Sequence, residues 1–245
     1  MEKQYPKLNW YYYLSDEGCD DGFICQYMRL DYLIQLLETK RYYVKRRRTF
    51  EDANESYNNY KLAFAPWPVG NNCIPQPKEL QERLIPYTDI IHCPTACWSK
   101  HERESYLMWK SYATEIGACI RTTVHNFIAS LQIDLDIIRN DNKVLCGSMK
   151  YDYFRPSTIE EDQLFDKDIV YADENEFRFY FLLASDIEKK KDEIKGIYVP
   201  VDTKVMIDEI LLSPFICKEA ANRIARMIKC AYDIDVRLSN IKLKL

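Results

Sequence analysis

The chain is expected to fold as a single α+β domain over residues 1–245, with a central mixed or antiparallel sheet and flanking helices. Three observations predict this. Apolar residues recur at helical spacing in several separate segments, aromatic and β-branched runs lie between them, and the two kinds follow one another without a regular βαβ rhythm. A chain of 245 residues is also long enough to bury a core that needs no staples.

Taken in order, Tyr27–Leu37 reads as an amphipathic helix, because Leu30, Leu33, Ile34 and Leu37 follow the i, i+3, i+4, i+7 rule. Arg41–Lys45 is aromatic and β-branched and reads as a short strand. Arg46–Asn59 is polar and loop-like. Pro66, Pro68, Pro75 and Pro77 with Gly70 mark an irregular connection from Ala65 to Lys78. No domain boundary is placed there, since the flanking halves are too small to stand alone.

Ile90–Trp98 reads as a strand ending at Ser99. Glu104–Ala113 has helical spacing, with Leu107, Met108 and Tyr112 on one face, and Gly117 breaks it. Ala118–Thr122 reads as a strand and Val124–Leu131 as a short helix. Lys143–Tyr153 reads as a strand with Gly147 inside it, and Glu160–Asp168 as a helix leading to Val170. Phe177–Leu183 is a β-prone aromatic run. Lys189–Lys195 is a charged surface turn and Lys204–Leu212 a strand. Cys217–Ala231 is an amphipathic helix whose apolar stripe is read as Ala220, Ile224, Met227 and Ala231. Val236–Leu245 alternates as a closing strand should.

Composition excludes several classes. The 38 acids against 34 bases leave a net charge of −4, so no global basic field advertises nucleic-acid binding. Six glycines argue against glycine-rich phosphate loops of the Rossmann or P-loop kind. No apolar run of about 18 residues exists, so no spanning helix and no membrane partner is expected. Nine cysteines are an odd number and Met1–Trp10 is polar, so thiols in a cytoplasmic protein are the expectation.

The stretch with most chemistry is Ala172–Phe179, ADENEFRF. Residues two apart on a strand share a face, so Glu174 and Glu176 are expected to line one cleft, with Arg178 on the opposite side. The bland reading makes them solvated strand-edge acids paired with Arg178. His92, Cys93, Cys97 and His101 suggest zinc, yet Cys93 and Cys97 would lie about 13 Å apart along a strand. They are read as core cysteines and no metal is expected. The run Lys45-Arg46-Arg47-Arg48 either draws in a phosphate-rich acceptor or forms a solvated loop. Trp98, Trp109 and Tyr112 are read as core, and Ser99 near His101 has no hydrolase spacing.

Three blocks carry a family resemblance. YMRLDYLIQLLETKRYYVKRRRTFEDANE (Tyr27–Glu55), CWSKHERESYLMWKSYATEIGACI (Cys97–Ile120) and ADENEFRF occur in this order. Together they resemble the bacterial family catalogued as domain of unknown function 2971, over roughly residues 26–245. The most specific piece is Leu107-Met108-Trp109 with Tyr112-Ala113 and Gly117. Phe50–Glu55 departs from the pattern by lacking its proline, and Tyr171 stands near the place of an expected tryptophan.

The order of elements also resembles the ADP-ribosyltransferase architecture, with an early Arg, His or Tyr, a middle Ser, Tyr or Phe strand and a late Glu opening a strand. That resemblance implies an NAD-dependent transferase of bacterial or phage-conflict type, acting on a protein or nucleic-acid acceptor. Glu176 would stabilise charge developing on the nicotinamide ribose, and Glu174 would position the acceptor. Arg29 would bind the pyrophosphate or the amide, and Tyr43 or Phe50 would stack on the nicotinamide ring. The alternatives are a non-catalytic nucleotide- or nucleic-acid-binding module and a nuclease-like conflict protein.

Overall fold

The computed structural model describes residues 9–12, 22–46, 50, 67–69, 72–74, 94–132, 143–152, 165–181 and 195–243. Strands β1 (Asn9–Tyr12) and β2 (Phe23–Arg29) are followed by helix α1 (Leu30–Thr39) and strand β3 (Arg41–Arg46). A small hairpin, β4 (Trp67–Val69) and β5 (Asn72–Ile74), precedes β6 (Pro94–Ser99). Next come α2 (Tyr106–Met108), which runs on as a π-helical turn (Trp109–Ala113), then β7 (Gly117–Thr123) and α3 (Val124–Ser130). Strands β8 (Lys143–Ser148), β9 (Lys150–Asp152) and β10 (Asp166–Asp168) lead through a 3-10 helix (Ile169–Glu174) into β11 (Glu176–Phe181). The chain closes with β12 (Gly196–Pro200), α4 (Thr203–Met206), β13 (Glu209–Leu212), α5 (Lys218–Tyr232) and β14 (Val236–Leu238).

Ten of these strands make one mixed, largely antiparallel sheet, so the fold is α+β. Only β1 with β8 and β13 with β14 run parallel in it. Alternation sorts the side chains to two faces. Ile24, Tyr42, Val44, Ala96, Trp98, Phe177 and Phe179 enter the main core beneath Leu33, Leu36 and Leu37 of α1 and Phe127 of α3. The intervening residues face the other way, where Cys25, Tyr27, Met108 and Trp109 form a smaller apolar cluster.

Strand β6 is the branch point of the sheet. From Thr95 to Ser99 it pairs with β11 on one edge. Its other edge is divided: Pro94 and Thr95 pair with Arg46 and Lys45 of β3, whereas Ser99 pairs with Cys25 of β2. One arm continues from β3 to β12, the other from β2 through β7 and β13 to β14. Helix α1 bridges the two arms, and its carboxyl end closes at Lys40 in the left-handed region (φ 51°), whose N–H bonds the Leu36 carbonyl.

Several expectations are corrected. Tyr27–Arg29 is strand, because seven consecutive residues of β2 pair with β7 and that ladder outweighs the helical spacing that begins at Leu30. The Glu104–Ala113 helix begins at Tyr106 and turns π-helical, burying Met108, Trp109 and Ala113 and leaving Leu107 exposed. Thr203–Met206 is helical because Asp202 caps the Lys204 N–H. Asp166–Asp168 is strand, and the closing strand stops at Leu238. Helix α5 buries Ala221 and Ile228, with Ile224, Ala225 and Tyr232 half-buried beside them. Its stripe is therefore rotated from the expected one, and Met227 is 56% exposed.

The expected loop at Arg46–Asn59 begins with a buried Arg46 on β3, and apart from Phe50 the rest of it lies outside the described residues. So do most of the Ala65–Lys78 connection and residues 90–93, 160–164 and 189–194. Among the described residues no helix is long and apolar enough to cross a membrane.

Candidate functional site: a carboxylate cleft at the fork

Strands β6 and β11 pair in the register Ser99↔Glu176, Cys97↔Arg178 and Thr95↔Tyr180. These residues lie on the face turned away from the main core, as do Arg41, Tyr43 and Lys45 of β3 and Tyr198 of β12. A cleft of about 870 Å³ opens there across the fork. Glu176 and Ser99 form one end of it, Tyr112 of the π turn overhangs that end, and Tyr43 and Tyr198 form the other.

Glu176 is 7% exposed and its two oxygens are treated differently. Oε2 accepts from Arg178 Nε at 2.8 Å and Nη2 at 2.5 Å, and from Lys167 Nζ at 3.4 Å. Among the described residues Oε1 accepts no hydrogen bond. The backbone N–H of Glu176 donates to Tyr151 Oη at 2.6 Å. Burial, opposed by that bond and reinforced by the Glu176 carboxylate, pushes the Tyr151 phenol up to about 12.

Glu174 belongs to the 3-10 helix, not to the strand. Asn175 separates it from β11 in the left-handed region (φ 41°, ψ 56°), a conformation that asparagine tolerates better than most residues. The strand rule that put both acids on one cleft wall therefore fails at this position. Glu174 Oε2 accepts from Lys167 Nζ at 2.5 Å, and Oε1 accepts from Tyr112 Oη at 2.6 Å. Burial, then the bond to Glu174, pushes the Tyr112 phenol well up and keeps it a donor. Two acids and two cations thus share one buried cluster, the form in which charge is tolerated away from water. Arg178 is on the same face as Glu176, not opposite it.

Behind Ser99 lies a second polar group. Ser99 Oγ is 2.7 Å from both the Glu174 carbonyl oxygen and His101 Nδ1. Burial lowers the His101 pKa, with the backbone and carboxylate of Asp173 opposing.

The cofactor candidates divide. Phe50 lines the cleft, its ring 5.7 Å from the Arg178 guanidinium carbon and 5.6 Å from Lys45 Nζ, which is cation–π range. Tyr43 lines the cleft two strands from Glu176. Arg29 does not reach it. As the last residue of β2 it turns outward, bonds Asp31 at 2.8 and 3.0 Å, and lies over the Tyr32 ring. It lines a separate shallow depression with Ile34 and Ile116.

Lys167, Tyr112 and Tyr151 escaped sequence reasoning as site residues. Lys167 carries no periodic signal relative to the acids, and Tyr112, read as core, is 45% exposed. Tyr112 does belong to the most specific family-like block, which was the available hint.

Among the described residues no cluster of three or more His, Cys, Asp or Glu side chains could hold a metal. Cys25, Cys97, Cys119, Cys146, Cys217 and Cys230 are thiols. The lining carries Arg41, Lys45 and Lys195 against Glu176, so in a chain of net charge −4 this cleft is locally basic. It suits an anionic ligand with flat rings and a hydroxyl to give to Oε1. Comparisons with protein-family models, with curated proteins and with solved structures found no match for this chain.

Proposed function

We propose that the chain is an NAD-dependent ADP-ribosyltransferase-like enzyme with Glu176 as its working carboxylate. The observation that carries the reading is the division of labour between the two oxygens of Glu176. Arg178 and Lys167 hold Oε2, so the carboxylate cannot swing, and Oε1 remains to accept from a ribose hydroxyl. NAD supplies the ribose–nicotinamide bond that breaks in such a transfer.

The cleft fits this co-substrate in size and chemistry. Its 870 Å³ lies within the usual range for small-molecule sites. Phe50 and Tyr112 offer ring faces near the carboxylate, and the basic lining of the cleft draws in phosphates. Glu174 acts through Tyr112, which it positions. Arg29 has no part in this version of the site. The resemblance to ADP-ribosyltransferases adds an acceptor that is a protein or a nucleic acid, and the thiol-rich composition fits a cytoplasmic setting.

A second reading is a nucleotide-binding module without turnover. The observation favouring it is that two cations already face Glu176, offsetting the negative charge a transferase would aim at its substrate. Incubation with labelled NAD separates the two. Nicotinamide release by the wild type, abolished in Glu176→Gln, is the expected result. Saturable NAD binding without release selects the module, and no binding at all ends both readings.

A further inference from the structure

The end of the cleft farthest from Glu176 has a character of its own. On β3 the residues Arg41, Tyr43 and Lys45 alternate with the core-facing Tyr42 and Val44, so cation, ring and cation follow one another on one exposed face. Arg41 and Lys45 are about 13 Å apart along the strand, with Tyr43 midway. Tyr198 of β12 sits directly opposite Tyr43, with ring centroids 5.0 Å apart and planes inclined by 51°. Gln35 of α1 donates to the Tyr198 hydroxyl at 3.3 Å.

The rings lie where they do because a glycine makes room. A Cβ at Gly196 would fall 2.5 Å from both the Tyr43 hydroxyl and the Val44 carbonyl oxygen, so Tyr43 lies across β12 only while residue 196 has no side chain. Tyr43, Tyr198 and the neighbouring Tyr32 remain 44%, 47% and 57% exposed. Lys195, next to Gly196, adds a third cation to this end of the cleft. Core packing does not explain rings held in the open between cations, since burial is what ordinarily stabilises tyrosine in a fold.

We propose that this Tyr43–Tyr198 platform binds single-stranded nucleic acid. Exposed rings on a sheet face stack unpaired bases, and flanking cations neutralise the phosphates on either side. An extended dinucleotide step matches a cation–ring–cation row better than a duplex does, because duplex bases are already stacked on one another. The platform shares the cleft of the proposed transferase and deepens that reading by naming its acceptor class. Binding itself does not depend on Glu176.

The test is fluorescence anisotropy of the whole chain with a labelled oligothymidylate of about 12 nucleotides. Saturable binding is expected, with a log–log salt slope of about −2 for three cation contacts on a single strand. Tyr43→Ala and Tyr198→Ala should each weaken binding at least about fivefold. Lys45→Gln, which leaves the rings in place, should make the slope shallower by about 0.7. Nicotinamide release measured in parallel keeps the two readings apart. Glu176→Gln is expected to lose release and keep oligonucleotide binding. Absence of saturable binding, equal affinity for a duplex of the same length, or unchanged affinity in both tyrosine variants with native circular dichroism would overturn the proposal.

Discussion

Two donors of Arg178 fall on the same oxygen of Glu176, Nε at 2.8 Å and Nη2 at 2.5 Å. A fork-to-fork pair would spread them over both oxygens; this one leaves the second oxygen to the cleft. Arg178 is fully buried and Glu176 nearly so. Removing Arg178 would leave a nearly buried carboxylate with only the longer contact to Lys167, at 3.4 Å. Arg178→Met is therefore expected to cost about 3–5 kcal/mol of stability, read from urea unfolding. The double variant Arg178→Met/Glu176→Gln should recover part of the loss. Equal stability of Arg178→Met and wild type would show that the cluster is not held by this pair.

Tyr112→Phe is expected to do less harm. It removes one hydrogen bond to Glu174, which keeps Lys167, and the tyrosine is partly open to solvent. A loss of about 1 kcal/mol is the scale for such a bond. The same unfolding series checks it, and a loss as large as that of Arg178→Met would mean that the phenol carries the cluster.

The fold should weaken in mild acid through His101. Burial lowers its pKa below the ordinary value of 6.5, so the unfolded chain takes up this proton first. Stability from this group is fully present above about pH 6.5 and is lost as the pH falls toward the folded-state value. Unfolding midpoints compared at pH 8 and pH 5.5 should show a drop that His101→Gln reduces. A variant that falls as steeply as the wild type would assign the drop to other groups.

Gly117→Ala should be poorly tolerated even though the new group is one methyl. A Cβ there collides with the carbonyl oxygen of Ala113 at the end of the π turn, and backbone cannot move aside as a side-chain tip can. Overpacking of this kind costs about 1–3 kcal/mol. It should also displace Tyr112, one residue before Ala113. Thermal unfolding and nicotinamide release, both lowered, are the expected pair of results.

How much of this was legible in the sequence differs by element. Arg41–Lys45, Ala118–Thr122 and Val124–Leu131 were readable almost to the residue, because their alternation or spacing agrees with the neighbours they meet. Phe23–Arg29 and Gly196–Pro200 were not read as strands at all, since each is stabilised by its partner strand more than by its own pattern. Glu176 was singled out from ADENEFRF and its resemblance, and it lines the cleft. Its separation from Glu174 was not legible, because the period-two rule holds only from Glu176 onward, and a left-handed Asn175 ends the 3-10 helix that carries Glu174. Arg29 was misplaced for a simpler reason: Asp31, two residues on, satisfies it at the surface.

The division of β6 between β2 and β3 has a mechanical consequence. Neither arm is zipped to it along more than a couple of residues, so the spacing of the two walls is governed by α1, ten residues and about 15 Å long. A helical strut, stiff along its axis and anchored by Leu33, Leu36 and Leu37, acts as a fixed gauge for whatever enters. Lengthening or shortening that strut is expected to reset the gap between the two walls.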